Sequence, residues 1–175
     1  NGGIKENKYI SFLKKKDLFE VLSVEKSIPS EYLNLCYSQK IDLIRGLLDS
    51  DGTVCKGGHV SFCSISKQLA EDVVYLIRSI GGIAKISTKE TQYTYNGEKK
   101  NGQLSYNVAI RYKNPKELFS LPRKLERIPD NYQYKDCLNL EIVNIEKSEI
   151  KEAQCIMIDS DDHLYITDDF VVTHN

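Results

Sequence analysis

Between residues 39 and 120 the apolar residues change spacing several times, and that order of spacings is the strongest constraint on the fold. Residues 39–49 place Ile41, Ile44, Leu47 and Leu48 on one helical face, and Gly52 stops the run. Thr53-Val54-Cys55 and His59-Val60-Ser61-Phe62-Cys63 then flank Gly57-Gly58 as a hairpin. Ser66 is a good N-cap for a helix over 67–80, with Leu69, Val73, Leu76, Ile77 and Ile80 as its buried stripe. Gly81-Gly82 ends that helix. Two strands follow, over 83–95 and 103–113, joined by a loop over 96–102. Asn114-Pro115 opens a short helix at about 115–120. Helix, hairpin, helix, hairpin, helix is an α+β pattern, with helices gathered on one face of an antiparallel sheet.

The flanks read differently. Residues 8–22 carry Ile10, Phe12, Leu13, Leu18, Phe19 and Leu22 at helical spacing, with Lys14, Lys15 and Lys16 on the wet side. Ser27-Ile28-Pro29 breaks this helix, because a residue before proline avoids the helical region. Past a basic segment at 123–129, residues 140–146, 153–158, 164–167 and 170–173 read as short strands with acidic turns. An all-β stretch of about 40 residues cannot close a core alone, so these strands need partners from elsewhere. Two regions are therefore expected, 1–135 and 136–175.

Charge divides at the same place. The net charge of −1 hides 22 Lys+Arg against 15 Asp+Glu in residues 1–135, a net +7, and 2 against 10 in residues 136–175, a net −8. The total argues against a nucleic-acid partner, and the first region reverses that inference for itself. No apolar run approaches the roughly 20 residues of a membrane span, and residues 1–6 hold no signal-peptide core. No membrane partner and a cytoplasmic location are expected. The five cysteines are irregularly spaced, which suits reduced thiols.

The segment Ile44-Arg45-Gly46-Leu47-Leu48-Asp49-Ser50-Asp51-Gly52 carries the first functional signal. It resembles the signature of the LAGLIDADG homing endonucleases, matching at Gly46, Leu47, Asp49, Asp51 and Gly52 and departing at Arg45. Lys26-Ser27-Ile28-Pro29-Ser30-Glu31-Tyr32-Leu33 is similar to the segment before the second signature of intein-borne members, so the likeness covers about residues 20–120. It implies an αββαββα repeat. Gly46 would lie on the apolar stripe, where a partner helix could approach closely. Asp51, at the helix end, would direct its carboxylate off the seam toward DNA phosphates. Paired carboxylates of this kind suit Mg²⁺. Only one signature is present, so Asp51 is the one metal ligand expected from this chain. The sheet would lie along a DNA groove, with Lys56, His59, Lys85, Lys89, Tyr93, Tyr95, Arg111 and Lys113 as candidate contacts.

Two metal alternatives fit less well. Asp49-Ser50-Asp51-Gly52 resembles the start of a calcium loop, but the twelfth position is Val60 rather than an acid. Cys55-x₃-His59-x₃-Cys63 has zinc-ligand residue types without a fourth ligand or a close Cys pair, and reads as an ordinary hairpin.

The second signal lies at the end of the chain. Residues 155–175 resemble the two C-terminal blocks of inteins, the self-excising protein-splicing elements. His163 is followed by Leu164-Tyr165-Ile166, and Val171-Val172-Thr173 leads into His174-Asn175. An asparagine amide nitrogen can attack its own main-chain carbonyl, close a succinimide and cut the following peptide bond. His174 is adjacent to assist, and His163 matches a further assisting histidine of the family. Splicing of this kind needs no cofactor. Cys155 stands where many members have aspartate. In one intein class a cysteine here is the branch-forming nucleophile, and Thr173 matches a second marker of that class. Cys155 is otherwise a small half-buried strand residue, and both readings stand.

The resemblance implies more than the chain holds. An intein usually begins with Cys or Ser and carries a Thr-x-x-His block, whereas this sequence begins with Asn1 and has no such block. The expectation is a C-terminal intein piece broken inside its endonuclease insertion: a LAGLIDADG αββαββα repeat, then the last β-strands of an all-β Hint splicing domain. Its partners would be an N-terminal intein fragment, flanking host (extein) sequence and double-stranded DNA. The alternative is a metal-dependent DNA endonuclease or DNA-binding module whose C-terminal strands are only scaffold.

Overall fold

The computed structural model describes residues 7–132 and 139–174. The expected division at 135/136 and Asn175 lie outside the described residues. In chain order the elements are α1 Lys8–Lys15, α2 Ser30–Leu33, α3 Tyr37–Asp51, β1 Gly52–Val54, β2 Val60–Ser64, α4 Lys67–Ser79, β3 Ile83–Tyr95 and β4 Glu98–Arg111. A 3₁₀ turn at Pro115–Leu118, α5 Pro122–Leu125, β5 Leu164–Ile166, a 3₁₀ turn at Asp168–Phe170 and β6 Val172–His174 complete them. From α3 onward the αββαββα order holds, with the last helix reduced to a 3₁₀ turn.

Four antiparallel strands form one sheet in the order β1-β2-β4-β3. Val54 pairs with Val60, Val60 with Ile110 and Ile110 with Ala84. That row, and the row through Phe62, Val108 and Ile86, faces the helices. Because strand side chains alternate, the intervening residues face away. α3 covers this sheet with Ile41, Ile44 and Leu48, and α4 with Leu69, Val73, Leu76 and Ile77. Ser66 caps α4, its Oγ accepting from Leu69 N at 3.1 Å and donating to Lys26 O. The buried Asp72 carboxylate accepts from Ile28 N at 2.7 Å, so the chain before α3 is stapled onto α4.

Several boundaries differ from the sequence reading. α1 stops at Lys15 instead of 22. None of its residues is buried, and Asp17 turns left-handed at φ 53°. A short helix without packing has little to extend it. The second hairpin is tighter than expected: Asn96 (φ 51°) and Gly97 (φ 82°) alone make its turn, so β4 begins at Glu98 and most of the expected 96–102 loop is strand. An Asn-Gly pair favours this two-residue turn, because both positions need positive φ.

The largest difference is in residues 139–174. Leu140–Glu146 and Ala153–Ile158 form no strands; of the four expected, β5 and β6 alone form, pairing Leu164 with His174 and Ile166 with Val172. A strand requires a partner edge for its backbone groups, and no described residue offers one to 139–158. Ile142, Val143, Ile145, Ile150 and Met157 are accordingly all exposed.

Candidate functional site

The end of α3 is built by Gly52 and Lys124. A Cβ on Gly52 would lie 2.5 Å from Leu48 O, so only glycine lets β1 leave the helix this closely. The last carbonyls of a helix have no partners within it. Lys124, almost fully buried, reaches under them from α5: its Nζ donates to Leu48 O, to Asp49 O at 2.9 Å and to Gly52 O at 2.7 Å. All three ammonium donors are used, and the positive charge lies at the negative end of the helix. Burial pulls the Lys124 ammonium below the usual lysine range, and Arg123 adds to this, while Asp49 and Asp51 act in the opposite sense. The sequence reading missed Lys124, treating it as one of several charges in a basic segment.

The two signature carboxylates part company. Asp49 accepts from Ser120 N (3.0 Å to Oδ2) and from Leu121 N (3.3 Å), so it locks α3 to the chain after the 3₁₀ turn. Asp51 is exposed and is the carboxylate left to meet a ligand. Gly46 is exposed, apart from the stripe of Ile41, Ile44 and Leu48 that α3 buries against the sheet. It lies on the outer side of α3, between the half-buried Leu43 and Leu47, with nothing within 4 Å of its Cβ position. Asp51 alone supplies one carboxylate at this helix end, and a divalent-cation site would need further oxygen ligands from another repeat or another copy. Among the described residues no group of three His, Cys, Asp or Glu side chains could hold a metal.

The open face of the sheet gathers some of the candidate cations and not others. Lys85 and Arg111 flank Ala109 on that face, and Lys89 lies two positions beyond Ser87. All three are exposed. Lys56 is exposed in the β1–β2 turn, and Lys113 follows β4 beside the polar cavity lined by Tyr37, Tyr112, Asn114 and Glu117. Tyr93 and Tyr95 stand exposed near the hairpin tip, with Lys100 Nζ 4.9 Å from the centre of the Tyr95 ring. His59 is committed elsewhere: its Nδ1 is 3.1 Å from the Tyr132 hydroxyl and the two rings meet edge-on. Cys55 faces His59 across the turn, its N–H donating to His59 O at 3.0 Å, but Cys63 lies at the other end of β2 opposite Asn107, so the three do not gather at one point.

A second cluster forms on β5 and β6. The register that pairs Leu164 with His174 brings the His163 and His174 rings to 6.0 Å between centroids, edge to face. His163 is in the left-handed region at φ 51°, and its Nδ1 lies 3.3 Å from Ile158 O. Asp162 braces the same turn: its Oδ1 accepts from Leu164 N at 3.1 Å and from Ser160 Oγ at 2.8 Å. These bonds hold its carboxyl below the usual range, the Leu164 amide having the largest effect. Thr173 is half-buried opposite Tyr165 on β6. Cys155 is exposed on the unpaired stretch.

Residues 38–120 match the LAGLIDADG-like domain family. This part of the chain is a LAGLIDADG-like domain. A replicative DNA helicase DnaB from Mycobacterium intracellulare is 34% identical over 154 residues. That alignment covers 86% of this chain, so it runs well beyond the LAGLIDADG-like domain. The chain spans about a quarter of this curated relative, 26% of its length. Among the described residues no helix is long and apolar enough to cross a membrane.

Proposed function

We propose that this chain is the C-terminal portion of an intein, which splices together with an N-terminal intein fragment and releases the flanking extein sequence through Asn175. The observation that carries this reading is that the β5–β6 ladder brings the His163 ring to 6.0 Å from the ring of His174, the residue that precedes Asn175. The Ile158 carbonyl can only accept, so a hydrogen bond from His163 Nδ1–H leaves Nε2 as the basic nitrogen. In the proposed step the Asn175 side-chain nitrogen loses a proton and attacks its own main-chain carbonyl. The peptide bond to the next residue breaks, and the leaving amine takes a proton. His174 and His163 serve as donor and acceptor for these transfers. Cys155 is the branch-forming nucleophile of this reading, with Thr173 beside the terminal dipeptide. The helicase relative supports the insert interpretation, since a match to 26% of a longer chain is what an element lodged within a host protein would give. The exposed apolar residues of 139–158 support the need for a partner: in this reading they become strands only when edges from the N-terminal fragment are present. An intracellular site of action follows from the same reading.

The test uses the chain extended by a few residues and mixed with an N-terminal fragment. Ligated flanking peptides and released extension are expected, and Asn175→Ala must abolish the release. Cleavage that continues unchanged in Asn175→Ala overturns the proposal. Cys155→Ala is expected to stop ligation while leaving Asn175 cleavage measurable.

A second reading is favoured by the open sheet face and the exposed Asp51. In it the LAGLIDADG-like domain binds double-stranded DNA through Lys85, Lys89 and Arg111, with Lys56, Lys113, Tyr93, Tyr95 and, once released from Tyr132, His59 as further contacts. Mg²⁺-dependent cleavage would need a second Asp51-like carboxylate. Binding that weakens steeply with salt supports this reading, and salt-insensitive binding removes it. DNA cutting lost in Asp51→Asn separates an endonuclease from a module that only binds.

A further inference from the structure

The turn between β5 and β6 holds two consecutive residues in the left-handed region, Asp169 at φ 60° and Phe170 at φ 59°. Neither is glycine, and a bulky aromatic residue there is an outlier. Such conformations persist only where their surroundings over-determine them. Here the surroundings come from the LAGLIDADG-like domain. Arg78 of α4 pairs with the Asp169 carboxylate, and Tyr75 of α4 meets the Phe170 ring edge-on at 5.0 Å between centroids. Each strained residue thus has its own partner, and the two partners are three positions apart on one side of a single helix. Both are anchored in turn: Arg78 also donates to Ala84 O at 3.2 Å, and the Tyr75 hydroxyl donates to Asn34 Oδ1 at 3.3 Å.

We propose that Arg78 and Tyr75 are positioning residues for the terminal histidine pair. The turn they hold sets the ladder in which Tyr165 faces Thr173 and Leu164 faces His174. A three-pair ladder has little register information of its own, and a slip of one residue moves every side chain to the other face. His174 would then leave His163. A helix of the DNA-type fold therefore fixes the geometry of a site that belongs to the other end of the chain. The positioning stands on the contacts alone, and only its effect on Asn175 cleavage rests on the splicing reading.

The experiment follows two signals in the full chain extended by a short peptide and combined with an N-terminal fragment. One is the nuclear Overhauser contact between the His163 and His174 ring protons, and the other is the rate of release at Asn175. Arg78→Ala with Tyr75→Ala is expected to remove the ring contact and to slow release at least about fivefold, equivalent to ~1 kcal/mol. The reversed pair R78D/D169R restores both signals. Asp169→Gly with Phe170→Gly relieves the strained turn, and in that background R78A has little further effect. A ring contact that survives the Arg78/Tyr75 double variant overturns the inference. So does a glycine background as sensitive to R78A as the natural turn, which also decides the matter if the double variant folds poorly. Loss of the ring contact with unchanged release supports the positioning and counts against the Asn175 chemistry.

Discussion

Residues 7–132 and 139–174 obey the same chemistry with opposite results. The first region encloses twenty buried apolar side chains, so every element in its centre has a partner. The second has no buried residue among those described, and its one ladder has three pairs. The apolar residues Ile142, Val143, Ile145 and Ile150 are present in the second, but no described residue covers them. Among the described residues the first region closes a core of its own, and the second closes none.

That contrast can be broken most directly by truncating side chains. Phe62→Ala should cost about 3–5 kcal/mol in denaturant unfolding, because Phe62 is fully buried between sheet and helices. Ile150→Ala, at a fully exposed position, should change stability by less than about 0.5 kcal/mol. A comparable loss at Ile150 would mean that the second region has a core of its own. Lys124→Met should be the next largest effect, about 1–3 kcal/mol, because three carbonyls at the end of α3 lose their donor. It should also disturb Asp51 without touching it, read as a shift in the amide signals of residues 49–52.

A smaller effect concerns pH. Burial pushes the Tyr112 hydroxyl up, and its contact with Tyr37 at 2.5 Å adds to the shift. A group whose value is raised on folding stabilises below its unfolded value and loses that contribution as pH rises through the folded one. The first region should therefore weaken above about pH 10, where free tyrosine ionises, and Tyr112→Phe should flatten the decline. Smallest of all, residues 136–175 carry a net charge of −8, so association with a basic N-terminal fragment should weaken with salt. Salt-independent assembly would show that the apolar strands alone drive it.

How much could be read from the sequence follows the same division. The helices α3 and α4 were legible because their stripes match a helical period and their caps, Ser66 and Gly52, have one physical role each. The Asp51 end of α3 was legible as a signature. Lys124 was not, because a buried lysine looks like any surface lysine until the carbonyls it serves are folded against it. The contact of His59 with Tyr132 was not legible either, since the two lie 73 residues apart. The segments 140–146 and 153–158 were read as short strands between acidic turns, a pattern that records what a segment could pair with. Whether the pairing edge exists in the same chain is not a local property.

The exposed run from 139 to 157 also fixes where this protein will be cut. Proteases need an extended, uncovered backbone of some ten residues, and this run offers one while the flanking sheet does not. A protease should sever the chain there first and leave the LAGLIDADG-like domain whole. In a cell, assembly with a partner that pairs these strands would be the difference between a long-lived chain and a trimmed one.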